Sequence, residues 1–115
     1  MNDLVSSDLM RGHIDTMILR VLMDHDNYGY EIIKAVGCIS DGLYELKEPS
    51  LYTSLKRLEK ARFIQSYWGD ESQGGRRKYY KITPQGESAY QASVTAWKKA
   101  KVIISQLIER GSEHE

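Results

Sequence analysis

The sequence predicts a mainly α-helical chain with one small β-hairpin, an α+β class, on three observations. Leu51, Leu55 and Leu58 recur at spacings of 4 and 3, which puts them on one face of an α-helix. Two aromatic-rich runs, residues 63–68 and 79–82, flank a polar stretch containing glycine, the pattern of a hairpin. Near the end, Tyr90, Val94, Trp97, Ala100, Ile104 and Leu107 repeat at 4, 3, 3, 4 and 3, the stripe of one long helix.

The first helix is expected to begin at Ser7 or Asp8, either of which can cap it. Leu9, Met10, Ile14, Met17, Ile18, Val21 and Leu22 then form a wide apolar face, and the turn-forming residues 24–27 end it. A second helix follows, capped by Asp26 or Asn27, with Glu31 in its first turn and Ile32, Ile33, Val36 and Ile39 buried. Ser40, Asp41 and Gly42 stop it, and residues 43–46 are read as a short strand. The third helix, residues 49–62, starts on Pro49, whose missing N–H is harmless there. In the hairpin one of Tyr79 and Tyr80 faces the core, because strand side chains alternate. Thr83 and Pro84 then supply a cap and a first residue for the last helix. At ~25 residues it would be ~38 Å long, more than a small domain needs. Its stripe therefore asks for a partner, and the same helix of a second copy is the expected one.

At 115 residues the chain fits one domain, residues 1–82, with an appended dimerisation helix and tail, residues 83–115. No apolar run reaches the roughly 20 residues of a membrane span, and no charged-then-apolar leader opens the chain. Cys38 is the single cysteine, so no internal disulfide forms. That favours a reducing, cytoplasmic setting, and Cys38 is read as a small buried apolar residue. His13, His25 and His114 are scattered, without metal-ligand spacing. No cofactor motif, nucleophile elbow, phosphate loop or paired-carboxylate pattern supports an enzyme.

The formal net charge of zero hides a gradient. Residues 1–46 hold three basic and eight acidic side chains, residues 47–81 nine basic and four acidic, and residues 82–115 four of each. The positive surplus lies on the third helix and the hairpin, where it can attract phosphate. A basic-faced helix followed by a basic hairpin reads as a winged helix-turn-helix, the helix entering the major groove and the hairpin gripping the backbone. Tyr52, Thr53, Lys56 and Arg57 are the candidate groove face. Gly74, Gly75, Arg76, Arg77 and Lys78 are the candidate wing. There the glycines allow close backbone approach and the cations suit phosphate or a narrow minor groove. Trp97 is either an interfacial core residue or an aromatic plate for a flat ligand between subunits; spacing leaves both open.

The runs 26–34 (DNYGYEIIK), 51–59 (LYTSLKRLE) and 67–80 (YWGDESQGGRRKYY) resemble the PadR family of bacterial transcriptional regulators, and its compact multidrug-binding subgroup in particular. The resemblance spans nearly the whole chain. It implies an N-terminal winged helix, a dimerising C-terminal helix and repression of a nearby promoter. In that subgroup a tryptophan from each subunit sandwiches planar aromatic drugs in a pore at the dimer centre, and Trp97 matches it. His13, Thr16 and Arg20 fall at pore-facing positions of the first helix. The pattern departs at Lys101, where the subgroup carries an acidic residue suited to cationic ligands, and Asp15 is the candidate for a compensating negative charge. Tyr30, Lys34 and Ser50 complete the expected DNA-contacting set. The expected partners are therefore double-stranded DNA with a near-palindromic operator, a second copy of the chain, and a planar aromatic effector. The competing reading is a ligand-binding or scaffolding dimer without DNA function.

Overall fold

A short first helix leads into three that pack beneath a three-stranded antiparallel sheet, and a fifth, long helix leaves the sheet's last strand. The structure is a computed structural model that describes residues 5–69 and 76–109. The chain runs through α1 (Ser7–Met10), a 3-10 turn (Arg11–His13), α2 (Ile14–Asp24), β1 (Asn27–Tyr28), α3 (Gly29–Ile39), α4 (Glu48–Lys60), β2 (Ile64–Trp68), β3 (Lys78–Ile82) and α5 (Pro84–Glu109). This is the expected mainly α architecture with a hairpin, arranged as a winged helix.

The first amphipathic stretch is not one helix. Ser6, one residue earlier than expected, caps α1 by accepting the Asp8 N–H at 3.1 Å. The chain then tightens into the 3-10 turn around Gly12 before α2 begins. Gly is among the poorest helix formers because ordering its backbone costs the most entropy. The break leaves Leu9 exposed rather than in the core.

Asn27 and Tyr28 form a strand where a helix start was expected. β1 pairs with β3 in the register Asn27↔Tyr80 and Tyr28↔Tyr79, and β3 pairs with β2 from Ile64↔Ile82 to Trp68↔Lys78. A lone hairpin is marginal in water, and a third strand stabilises it. Helix α3 therefore begins at Gly29 after an extended Tyr28, and no side chain caps it. It ends at Ile39, where Asp41 and Gly42 adopt left-handed conformations and the Gly42 N–H reaches the Gly37 carbonyl at 2.8 Å. Ile39 and Cys38, expected inside, are exposed at this end. Among the described residues, 43–46 pair with no strand; they are an anchored loop, in which the Tyr44 N–H binds Ser40 Oγ and the Tyr44 and Leu46 side chains are buried.

Ile18 and Leu22 of α2, Ile32 and Val36 of α3, and Leu51, Leu55 and Leu58 of α4 meet in one core. Ile64 and Tyr80 close it from the sheet. Of the two wing tyrosines, Tyr80 is thus the inward one. Helix α4 ends on Arg62 in a left-handed conformation, with the Phe63 N–H bonded to the Leu58 carbonyl at 3.0 Å, a Schellman-type stop. Thr83 caps α5, accepting the Gly86 N–H at 3.0 Å while its hydroxyl donates to the Arg62 carbonyl at 2.8 Å. One residue thereby ties the end of α4 to the start of α5. The first half of α5 packs on α2 and β3; from Thr95 to Glu109 every residue except Ser105 is exposed.

Candidate nucleic-acid interface

Every third or fourth residue of α4 is committed to the core, and the residues between them are not. Leu51, Ser54, Leu55 and Leu58 are buried, while Ser50, Tyr52, Thr53, Lys56 and Arg57 are exposed. Helical geometry alone separates these faces. The Tyr52 ring lies directly over Gly29, where an added Cβ would sit inside the tyrosine hydroxyl. Gly29 thus lets the start of α3 approach α4 and fixes where Tyr52 points. From α3, Tyr30 and Lys34 are also exposed, with the ammonium 5.5 Å from the ring centre and 3.7 Å from Glu31.

Arg57 occupies the expected face but is engaged. Its Nε and Nη2 donate to the two carboxylate oxygens of Asp15 at 2.9 and 2.7 Å, and Nη2 also donates to Ser54 Oγ at 3.0 Å. The hydrogen bonds to Asp15, with its charge second, hold the guanidinium above its ordinary pKa. Asp15 is therefore not available as the compensating charge expected near Lys101.

The wing is an aromatic shelf carrying cations. Tyr67 stacks on Tyr79 at 5.7 Å, and Tyr28 meets Tyr79 edge-on at 5.4 Å. The Arg77 guanidinium lies 4.8 Å from the Tyr28 ring, and Arg76 lies 5.0 Å from the Trp68 ring. Cation–π contact of this kind orders a long side chain over the ring. Lys78 stands 5.9 Å from Tyr80. At the shelf's edge, Tyr67 donates to Asp26 at 2.5 Å, which raises its pKa to about 12, hydrogen bonding first and desolvation second. Gly74 and Gly75 lie outside the described residues. Trp68, Tyr28 and Tyr67 were not among the expected site residues. Tyr28 comes under Arg77 only because β1 joins the hairpin as a third strand, whereas Trp68 meets Arg76 within the hairpin itself.

A model of the transcriptional regulator PadR-like family matches residues 18–92. The chain belongs to that family. Members of the PadR-like family are DNA-binding transcription regulators rather than enzymes. The chain is also similar to a transcriptional regulator of Clostridium thermocellum, 42% identical, covering 92% of this chain and all of that one with a TM-score of 0.84. A PadR family transcription regulator of Clostridium difficile is 37% identical, with 84% and 99% coverage and a TM-score of 0.71. A Lysinibacillus sphaericus protein of uncharacterised function is 42% identical over 92% of this chain and 97% of its own. Among the described residues no helix is long and apolar enough to cross a membrane, and no cluster of side chains could hold a metal ion.

This PadR-like chain also carries a second candidate site. A groove of about 830 Å³ opens between α1, α2, the end of α3 and the first half of α5. Trp97, Tyr90, Tyr44, His13, Thr16 and Arg20 are on its walls. Four of the five residues expected around a ligand are thus brought together. The fifth, Lys101, is not a wall residue; its Nζ stands 4.6 Å from the Trp97 ring centre. No carboxylate is on the described walls, and Arg20 is paired with Asp24 at 2.8 Å.

Proposed function

We propose that the protein is a homodimeric transcriptional repressor whose α4 helices enter successive major grooves of a near-palindromic operator. Half-sites would then lie about one helical turn apart, ~34–36 Å. The observation that carries this reading is the continuity of one exposed surface. Tyr52, on the polar face of α4 with Thr53 and Lys56, lies over Gly29 at the start of α3; Tyr30 and Lys34 are exposed on that same helix, and the wing cation Arg77 lies 4.8 Å from the ring of Tyr28, which directly precedes it. Hydroxyls and an ammonium on α4 can reach base edges and phosphates, and the wing arginines suit phosphate oxygens.

Dimerisation is supported by the second half of α5. Ile103, Ile104, Leu107 and Ile108 are 47–76% exposed, uncovered by any other element among the described residues. A contiguous apolar stripe of that kind marks an interaction surface. In the dimer the groove beside Trp97 would receive a planar aromatic effector. Its size falls within the range of small-molecule sites, and Trp97 is 44% exposed in the single chain. Lys101 on that ring makes a cationic drug a poor match, because like charges would meet over one aromatic face. An effector changes repression only by binding one geometry of the two DNA heads better than another.

Footprinting on the DNA upstream of the protein's own gene, with and without planar aromatics, tests the reading. Protection of two half-sites that weakens steeply with salt is the expected result. Absence of protection at any salt, with aromatic ligands still quenching Trp97, would replace it by a ligand-binding dimer without DNA function.

A further inference from the structure

Of the cations on the exposed face of α4, Arg57 alone is met by a carboxylate among the described residues. Lys56 and Lys60 enter no ion pair among the described residues. Asp15 comes from α2, 42 residues earlier in the chain, and takes Arg57 side-on through both carboxylate oxygens. Three of the five guanidinium N–H donors are thereby spent inside the protein: Nε–H on Asp15, and the two of Nη2 on Asp15 and Ser54. A phosphate approaching the remaining nitrogen meets a neutralised pair, with a fixed negative charge behind it. The pair is too exposed to add much stability: the Arg57 and Asp15 side chains are 57% and 34% accessible, and such surface pairs contribute little. Its consequence is electrostatic.

We propose that Asp15 is a specificity-setting residue: it screens Arg57, so that α4 meets DNA with one fewer phosphate-seeking cation. This rests on the DNA-binding reading above. Sequence-independent affinity scales with the number of phosphates neutralised, whereas base readout does not. Removing one cation from the first term while Tyr52, Thr53 and Lys56 keep the second raises the ratio of specific to non-specific binding. It also suits a chain whose formal charge sums to zero.

The test is Asp15→Asn in the full chain, measured by fluorescence anisotropy on a duplex of unrelated sequence across a salt series. Asparagine keeps the shape and removes the charge. The expected result is tighter binding to that duplex and a log K against log[salt] slope steeper by about 0.9 for each subunit in contact. Arg57→Ala added to Asp15→Asn should cancel the gain. Arg57→Ala with Asp15→Ala, which removes the neutral pair whole, should leave the wild-type slope unchanged, and this arm stands even where Asp15→Asn misfolds by circular dichroism. The proposal is overturned by an unchanged slope in folded Asp15→Asn, or by a flattened slope when Arg57→Ala and Asp15→Ala remove the pair together. Affinity reduced in parallel on all sequences in Asp15→Asn would overturn it too, by making Asp15 a support for Arg57 at the DNA. Failure of the wild-type chain to bind any duplex at low salt is a different outcome and sinks the DNA-binding reading itself.

Discussion

The Phe63 carbonyl lies against the α-carbon of Gly86, so close that no side chain fits between them. The same carbonyl accepts the Thr83 N–H at 3.0 Å. Glycine is therefore required in the first turn of α5 for close approach, not for an unusual backbone angle. Gly86→Ala should destabilise the fold by about 1–3 kcal/mol, the usual cost of overpacking, although alanine is the better helix former. Urea or thermal unfolding measures it. Thr83→Ala, which removes the cap and the hydroxyl bond to Arg62, should cost about 1 kcal/mol by the same assay.

Tyr67 should titrate apart from the other tyrosines. Its hydroxyl donates to the Asp26 carboxylate, which raises its pKa to about 12. The raised value means that folding favours the protonated phenol. That contribution is fully present below the ordinary tyrosine value, about 10, and is lost as pH rises through about 12. Its size is reduced by solvent, since Tyr67 is 42% exposed. Burial also raises Tyr44 and Tyr80, so tyrosinate absorbance should show a late-titrating set whose member at about 12 is absent in Tyr67→Phe and moves earlier in Asp26→Asn.

Arg76→Ala combined with Arg77→Ala should weaken binding on every DNA sequence. The salt slope should flatten by up to about two units, one for each phosphate that is no longer neutralised. Removing the shelf instead of the cations, with Trp68→Leu, should lower affinity while the charge count stays constant. A gel shift across salt concentrations separates the two.

Trp97→Ala should abolish quenching by planar aromatics and leave operator binding largely intact. Trp68, on the wing, remains as an internal fluorophore that reports DNA rather than effector. Ile104→Asp with Leu107→Asp, both on the exposed stripe, should shift the solution mass to that of one 13.2 kDa chain. Analytical ultracentrifugation reads that mass directly. A wild-type chain already at that mass would remove the dimer from the proposal.

Much of the fold was legible because it is written in local periodicity. The stripe through Leu51, Leu55 and Leu58, the paired aromatic runs and the Thr83-Pro84 start each specify an element without reference to the rest of the chain. The misread stretches depend on distant partners. Asn27 and Tyr28 looked like a helix cap because their strand partners, Tyr80 and Tyr79, lie about fifty residues on. The short segment before Gly12 looked like more helix because Leu9 has apolar character, whatever covers it. The face of α4 was readable from helix spacing; the state of Arg57 on it was not, since Asp15 belongs to another amphipathic pattern.

By itself, then, the sequence determined α4, α5 and the β2–β3 hairpin, which α4 side chains point outward, and where positive charge collects. Those properties follow from residue type and spacing within a few turns of chain. Tertiary structure alone decided that Asp15 reaches Arg57, that Arg77 rests on the Tyr28 ring, and that Gly86 must have no side chain. Each of those joins residues far apart in sequence, and only the folded chain brings such atoms within a few ångströms.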